Sequence, residues 1–137
     1  AFVPPVPPEE ITDSISANDV GLINVRPDTQ NLAWSAANKV FEYMGGGLAL
    51  IVPDLPVMSA IIERHQCGIT FDARDPDALL AALGWLTEHP SEVAAMKRNA
   101  AVAAREYTWD AQAAAVYGVY GQLLARAVHR HDRGATA

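Results

Sequence analysis

The stretch NKVFEYMGGGLALIVPDLP, residues 38–56, constrains the fold more strongly than any other part of the chain. It begins as a helix with apolar positions at Val40 and Met44. A run of three glycines then ends that helix, because glycine enters left-handed backbone geometry without steric cost. The next five residues, 48–52, are all apolar and are closed by Pro53, which is typical of a strand buried on both faces. A helix that leads into such a strand predicts an α/β fold.

Strands and helices alternate along most of the chain. We predict strands over residues 2–3, 19–25, 48–52 and 68–71, with apolar residues at helical spacing between them. Strands joined by helices pair in parallel through right-handed crossovers. After the last strand, Asp75 and Pro76 predict the start of the helices that end the chain. The predicted fold class is therefore α/β, a Rossmann-like parallel sheet flanked by helices, with a helical C-terminal tail packed outside it.

The length of the chain is that of one domain. It has 137 residues, of which half are hydrophobic, a composition typical of a folded chain. We assign residues 1–124 to a partial Rossmann-like α/β domain and residues 125–137 to a basic, flexible C-terminal tail. The chain opens on Phe2 and Val3, which are already apolar, so we expect it to be a fragment that is truncated at its N-terminus.

Charge is unevenly distributed. Residues 1–96 carry thirteen acidic and four basic side chains, whereas the remaining residues carry three acidic and six basic ones. The acidic body argues against nucleic-acid binding. The basic tail is compatible with contact to anionic lipid or another domain, and equally with a solvated helix end whose cations favour the helix C-terminus. A single cysteine, Cys67, and no apolar run of about 18 residues predict a cytoplasmic protein, with peripheral membrane contact left open.

Polar side chains collect in the sequence around the start of the central helix. The loop after the second predicted strand contains Asp28 and Asn31, and such a loop lies where parallel sheets place ligand-handling groups. Asn38 and Lys39 open the helix, so if an anion binds, we expect it at this N-terminus, aided by Lys39. Glu42 follows one turn later, near the carboxyl edge of the sheet. Its carboxylate serves either as a ligand-binding group or as a surface charge.

The three glycines do not match a phosphate-binding loop. They follow a helix and precede a strand, whereas phosphate loops and dinucleotide motifs place glycines between a strand and a helix. A helix cap that packs closely against the sheet explains them as well. No metal site is predicted, because neither the pair His65 and Cys67 nor the pair His129 and His131 has a second pair at zinc-like spacing. Catalytic residues stay unassigned, since no nucleophile lies in a recognisable motif.

The order and spacing of several segments resemble a known enzyme family. The segments are NKVFEYM at 38–44, the glycine turn, Leu50-Ile51-Val52, Asp54, Gly68, Phe71-Asp72, Asp75-Pro76 and Tyr107-Thr108-Trp109-Asp110. Together they resemble the C-terminal, donor-binding domain of GT-B glycosyltransferases, in particular the large retaining group called glycosyltransferase family 4 or group 1. The resemblance extends over residues 2–124, and the fold it implies is the C-terminal half of a GT-B protein.

The resemblance implies a domain that binds a nucleotide-sugar donor, namely a UDP-, GDP- or dTDP-sugar. In that family two Glu residues eight positions apart serve the donor, and Glu42 matches the second, which implies hydrogen bonds to the ribose hydroxyls. Trp34 stands where the first Glu is usual, although Asn38 and Lys39 fit a branch that lacks it. Ala49 also departs from the family pattern, which has proline there. The implied reaction moves a hexose-like sugar to an acceptor hydroxyl with retention of configuration.

The resemblance further implies that an acceptor-binding N-terminal domain precedes residue 1, together with the basic pair that usually neutralises the diphosphate. GT-B enzymes use basic side chains and a helix N-terminus for that task, so no metal and no cofactor are expected. The chain alone is expected to be inactive. Two alternatives remain open. One is a degenerate GT-B-like interaction domain without catalysis, suggested by Trp34 and Ala49, and the other is part of a sugar-nucleotide epimerase with the same two-domain plan.

Overall fold

Three parallel strands form the sheet in the part of the chain that this computed structural model describes, residues 4–134, with side chains for residues 4–124. They are β1 (Val20–Leu22), β2 (Ala49–Pro53) and β3 (Gly68–Phe71). β2 lies between the other two, and its register places Leu50 opposite both Gly21 and Gly68. The strand order follows the chain order, as expected for strands joined by helical crossovers.

Seven α-helices accompany these strands within the described residues. They are α1 (Ile11–Ile15), α2 (Gln30–Ala33), α3 (Asn38–Gly45), α4 (Pro56–His65), α5 (Pro76–Glu88), α6 (Pro90–Ala103) and α7 (Trp109–Gly134). Short 3-10 segments, Pro8–Glu10 and Ala104–Tyr107, precede α1 and α7. α3 and α4 are the main connections between strands, and α5 and α6 follow β3. The predicted α/β fold, a Rossmann-like parallel sheet with flanking helices and a helical C-terminus, is confirmed.

The predicted strands agree with the observed ones most closely in the centre of the sheet. β3 has the predicted bounds, and β2 begins and ends one residue later than predicted. β1 ends at Leu22 and not at Val25. The Ile23 N–H still donates to the Ile51 carbonyl at 2.9 Å, and the chain leaves the sheet after that hydrogen bond. The strand predicted at residues 2–3 lies outside the described residues.

Side-chain caps explain where three of the helices begin. The Asp75 carboxylate accepts a hydrogen bond from the backbone N–H two residues later at 2.9 Å, which confirms the predicted start of α5. The Thr108 hydroxyl accepts one from the N–H three residues later at 3.2 Å at the start of α7. The loop predicted after the second strand contains α2, because the Thr29 hydroxyl accepts from the Leu32 N–H at 3.3 Å and caps a short helix.

The core is built around β2, whose residues 49–52 have no exposed surface. On one face of the sheet, Ile51 packs in a cluster with Phe71 of β3 and with Ala82 and Leu86 of α5. Successive side chains of a strand point to opposite faces, so Leu50 faces the other side, where α3 and α4 contact the sheet. Helices on both faces explain why this strand is a continuous apolar run.

Residues 105–137 form a second unit of the chain. In its described part, the Gln112 side chain donates to the Glu106 carbonyl at 3.0 Å at the start of α7. The basic side chains that define the predicted tail lie outside the described residues, namely Arg126, His129, Arg130, His131 and Arg133. The tail and its contact with lipid therefore stay predictions. None of the helices in the described part combines the length and the apolar character that a membrane span needs.

Gly21 determines how closely α3 approaches β1. A Cβ atom at residue 21 would collide with Cγ and Cδ2 of Tyr43, so the tyrosine ring occupies the space above the glycine. The Tyr43 hydroxyl also donates to the Leu22 carbonyl at 3.3 Å. At the other end of the helix, Gly47 adopts a φ of 69° and its N–H donates to the Met44 carbonyl at 3.0 Å. The position of α3 on the sheet is thus set by Gly21 of β1, which lies against Tyr43, and by Gly47, which follows the end of the helix.

Replacing Gly21 tests this arrangement. Gly21→Ala is expected to lower the free energy of unfolding by about 1–3 kcal/mol, because the added methyl group displaces the Tyr43 ring and α3 with it. Denaturant unfolding measures the loss, and amide chemical shifts of α3 report the displacement. Gly84→Ala is the matched control, since a Cβ atom there meets nothing within 4 Å, and alanine in a helix interior is favoured over glycine by about 0.5–1 kcal/mol. A Gly21→Ala chain as stable as the unaltered one would contradict the role given to Gly21.

Candidate functional site

A cavity of about 530 Å³ lies between the carboxyl end of β1 and the first turn of α3. One wall comes from the end of β1 and the residues after it, the other from the start of α3, and Ile11 of α1 completes the lining. The lining residues of the two walls are Leu22, Ile23, Asn24, Val25, Ala37, Asn38, Lys39 and Glu42. Ligands of parallel α/β sheets bind at the carboxyl ends of the strands. This cavity is therefore the candidate functional site.

The direction of α3 gives the cavity a positive backbone field. A crossover helix runs back across the sheet, so its N-terminus lies at the carboxyl edge of β1 and its C-terminus lies where β2 begins. Ala37 precedes the helix with extended backbone, and Asn38 and Lys39 form its first turn beside the cavity. The first backbone N–H groups of a helix lack intrahelical acceptors and carry the positive end of the helix dipole. The N-terminus of α3 is accordingly suited to an anionic group.

The three glycines lie at the opposite end of α3. The N–H groups of Gly46 and Gly47 donate to the Glu42 and Met44 carbonyls at 2.9 and 3.0 Å, which closes the last turn of the helix. None of the three glycines lines the cavity. Their interpretation as a helix cap is confirmed.

Two opposite charges project from α3 along the cavity. Lys39 is exposed and Glu42 is half-buried, and residues three positions apart lie on the same side of a helix. Neither side chain forms an ion pair with any residue in the described part of the chain. Both charges are therefore available to a ligand, with the cation nearer the helix N-terminus and the carboxylate one turn deeper.

Asp28 and Asn31 are the two predicted site residues that do not line this cavity. The Asp28 carboxylate lies 3.8 Å from Nε of Arg26, and both side chains are about 70% exposed, so the pair is a solvated surface contact. Asn31 is exposed in α2. The structure thus brings together Asn38, Lys39 and Glu42 but leaves Asp28 and Asn31 outside their cavity, and the role of the last two stays a prediction.

Asn24 is a cavity residue that the sequence pattern did not reveal. It lies inside the predicted strand 19–25, where the prediction makes it one polar side chain between apolar neighbours. Because β1 ends at Leu22, Asn24 instead follows the strand and faces the cavity. Two signals point to this earlier end: asparagine is depleted in strands, and Pro27 lacks the N–H that a longer ladder would use.

Trp34 lies in the chain between α2 and α3, eight residues before Glu42. It ends α2, with its N–H donating to the Gln30 carbonyl at 3.2 Å, and 62% of the residue is exposed. It does not line the cavity. A large apolar ring is therefore presented to solvent near the start of α3, at the position where the resemblance described above leads us to expect Glu.

Within the described residues, no three His, Cys, Asp or Glu side chains come together in a way that could hold a metal ion. Cys67 is a free thiol without exposed surface, and burial raises its pKa. A raised pKa keeps the thiol protonated near neutral pH, which makes it a weak nucleophile. Cys67 contributes to packing at the start of β3, away from the cavity.

Three curated relatives are D-inositol 3-phosphate glycosyltransferases. The one from Corynebacterium urealyticum is 27% identical over 127 residues, which cover 89% of this chain and 27% of the relative. The protein from Thermobispora bispora is 26% identical over 127 residues, covering 93% and 28%. The protein from Acidothermus cellulolyticus is 23% identical over 124 residues, covering 90% and 26%. The chain therefore spans about a quarter of the length of these relatives.

The family described as glycosyl transferase-like matches residues 1–118. The match includes both walls of the cavity and every strand of the described sheet. It agrees with the resemblance drawn from residues 38–44 and the segments that follow them, so the glycosyltransferase kinship expected from those segments is confirmed. The chain belongs to the glycosyl transferase-like family.

Proposed function

We propose that this chain is the donor-binding part of a retaining glycosyltransferase, corresponding to the C-terminal half of a GT-B fold. The enzyme would move a sugar from a nucleoside diphosphate to an acceptor hydroxyl. The observation that carries the proposal is the cavity at the carboxyl end of β1, where a helix N-terminus, Lys39 and Glu42 face one space. Membership of the glycosyl transferase-like family supports sugar transfer as the chemistry.

A nucleotide sugar has two groups that match the two charges of α3. Its diphosphate carries negative charge, which the first turn of α3 and the Lys39 ammonium attract. Its ribose carries two hydroxyls, which donate hydrogen bonds to the carboxylate of Glu42. Hydrogen bonds to a charged group contribute about 1.5–3 kcal/mol each. A UDP- or GDP-sugar would satisfy the whole pattern, whereas the deoxyribose of a dTDP-sugar has only the 3′-hydroxyl and would donate one hydrogen bond to Glu42.

In this proposal Lys39 and the N-terminus of α3 stabilise the leaving diphosphate, so the proposal includes no metal cofactor. Electrostatic stabilisation by prearranged groups is a main source of catalysis when charge develops on a leaving group. The groups that bind the acceptor, and any catalytic acid or base, are proposed to belong to a further N-terminal domain. The chain alone would then bind the donor without turning it over. A cytoplasmic location with peripheral membrane contact completes the proposal.

A non-catalytic binding domain is the second candidate. Trp34 is the observation that favours it, because 62% of this residue is exposed beside the start of α3. Exposed tryptophan is enriched at protein interfaces, where one large ring buries much apolar surface. In this alternative, the same cavity has no nucleotide ligand and the surface around Trp34 holds a protein.

Replacing Glu42 tests donor binding. Glu42→Ala is expected to weaken the binding of UDP-glucose, GDP-mannose or dTDP-glucose, whichever binds, by about tenfold or more, because each lost hydrogen bond to the carboxylate costs at least about 1.4 kcal/mol. NMR titration of the 137-residue chain would show donor-dependent shifts at residues 22–25 and 37–42. Glu88→Ala is the matched control, since Glu88 is an exposed acid at the end of α5 and does not line the cavity.

Two results of this titration would contradict the donor proposal. One is the absence of shifts in the cavity residues with all three donors. The other is an equal loss of affinity in the Glu42→Ala and Glu88→Ala chains, which would show that net charge and not the Glu42 carboxylate matters. Either result would favour the second candidate, which predicts that Trp34→Ala abolishes partner binding.

Lys39 has its own signature in salt dependence. Lys39→Gln is expected to weaken donor binding several-fold at low ionic strength and by less in high salt, because the Debye length falls from about 10 Å at 0.1 M to about 3 Å at 1 M. The affinity of the unaltered chain should fall with added salt more steeply than that of Lys39→Gln. Equal salt slopes for the two chains would mean that Lys39 does not meet the diphosphate.

A further inference from the structure

A second cavity, of about 480 Å³, lies beside the first at the carboxyl edge of the sheet. It is bounded by the loop after β1, by the end of β3 and by the start of α5. Its lining residues are Asn24, Arg26, Phe71, Ala73, Arg74, Asp75, Pro76, Leu79 and Leu80. Asn24 lines both cavities, so the two spaces adjoin at this residue. Nothing in the proposed donor function uses this second cavity.

Two arginines from separate loops line this cavity. Arg26 follows β1 and Arg74 follows β3. Arg26 has one contact with a carboxylate, the 3.8 Å pair with Asp28, in which both side chains are about 70% exposed, and such pairs contribute little. The guanidinium of Arg74 has no ion pair within the described part of the chain. Both positive charges are therefore open to a ligand.

The carboxylates closest to Arg74 in sequence are already engaged by backbone groups. One oxygen of Asp72 accepts from the Arg74 N–H at 2.8 Å, and one oxygen of Asp75 accepts from the Asp77 N–H at 2.9 Å. Each carboxylate thus shapes the loop or caps α5. Neither carboxylate forms an ion pair with the Arg74 guanidinium.

The remaining lining of the cavity is largely apolar. Phe71 is 5% exposed and forms part of the core, whereas Leu80 is 67% exposed and leaves one apolar wall open. Guanidinium forks match phosphate oxygens in a bidentate geometry, with hydrogen bonds stronger than neutral ones. Two forks in one partly apolar space are a pattern suited to a phosphate group.

The acidic charge of the surrounding chain bears on what Arg26 and Arg74 would do in this cavity. Residues 1–96 hold thirteen acids and four bases, and Arg26 and Arg74 are two of those four bases. A body with this balance repels anions in general. An anion that binds here must therefore be held by the local arrangement of arginines.

We propose that this second cavity is a binding site for a phosphate group, held by Arg26 and Arg74 with the amide of Asn24 as a further donor. The bound group is a phosphoryl or diphosphoryl moiety, with the apolar wall of α5 left for the rest of the ligand. The site is separate from the N-terminus of α3 and does not require that the chain binds a nucleotide sugar.

Inorganic pyrophosphate is the first probe. Titration of the 137-residue chain at low ionic strength is expected to give saturable amide shifts at residues 24–28 and 71–76. Arg26→Gln and Arg74→Gln are each expected to weaken this binding by about fivefold or more, since each removes a charged fork from the phosphate. Arg98→Gln is the matched control, because Arg98 is exposed on α6 and does not line this cavity. All three side chains are exposed, so thermal unfolding should confirm that the variants stay folded.

Two outcomes would overturn the proposal. The first is the absence of saturable shifts at those amides, and the second is a loss of affinity in Arg98→Gln as large as in the two site variants. Glu42→Ala is expected to leave the pyrophosphate affinity read from the amides of residues 71–76 within about twofold, because Glu42 does not line this cavity and a charge outside it acts only through screening solvent. The phosphate site and the proposed donor function can therefore fail independently of each other.

The phosphate can come from the donor or from the acceptor, and two further probes separate these sources. Uridine diphosphate carries the diphosphate of a donor, whereas glycerol 3-phosphate is a small phosphorylated polyol. Simultaneous shifts at residues 24–28, 37–42 and 71–76 with uridine diphosphate would assign the site to the donor. Shifts confined to 24–28 and 71–76, with tighter binding of glycerol 3-phosphate, would assign it to an acceptor. Each result supports a phosphate site, and binding of neither probe there would overturn it.

Discussion

The complete burial of β2 is the constraint on which the rest of this structure depends. A strand that exposes nothing on either face needs a strand on each side and helices above and below it. β1 and β3 supply the sides, and the helices on both faces supply the cover. The side chains that face solvent at the carboxyl edge belong to the loops and helix ends around β2. Their positions therefore follow from the way in which the neighbouring strands and helices enclose β2.

The crossover from β1 to β2 places the candidate site at the carboxyl edge of the sheet. Because α3 must return across the sheet, its N-terminus reaches the edge at which β1 ends, and Lys39 and Glu42 are carried there with it. The distance between α3 and the sheet is set by Gly21, which admits the ring of Tyr43. The crossover from β1 to β2 therefore determines both which charges lie at the carboxyl edge and how α3 packs on the sheet.

The sequence was informative where burial dictates residue type, and less so where the backbone decides. The apolar run at 48–52 and the Asp75 cap predict β2 and α5, because both patterns have few alternative structures. The loop after β1 is different: its strand ends early and Thr29 starts a helix, and both depend on single hydrogen bonds. The cavity residue Asn24 was missed for this reason. The proximity of Arg26 and Arg74 depends on strand order, which no local pattern contains.

The orientation of α3 has a consequence for how the site responds to acidity. Backbone N–H groups do not titrate, whereas side-chain charges do. The glycine turn lies at the other end of the helix, so the end of α3 that faces the cavity is its N-terminus. Part of the attraction for an anion is therefore constant at every pH at which the chain stays folded. Loss of a phosphorylated ligand in acid would then have its origin outside the backbone of α3.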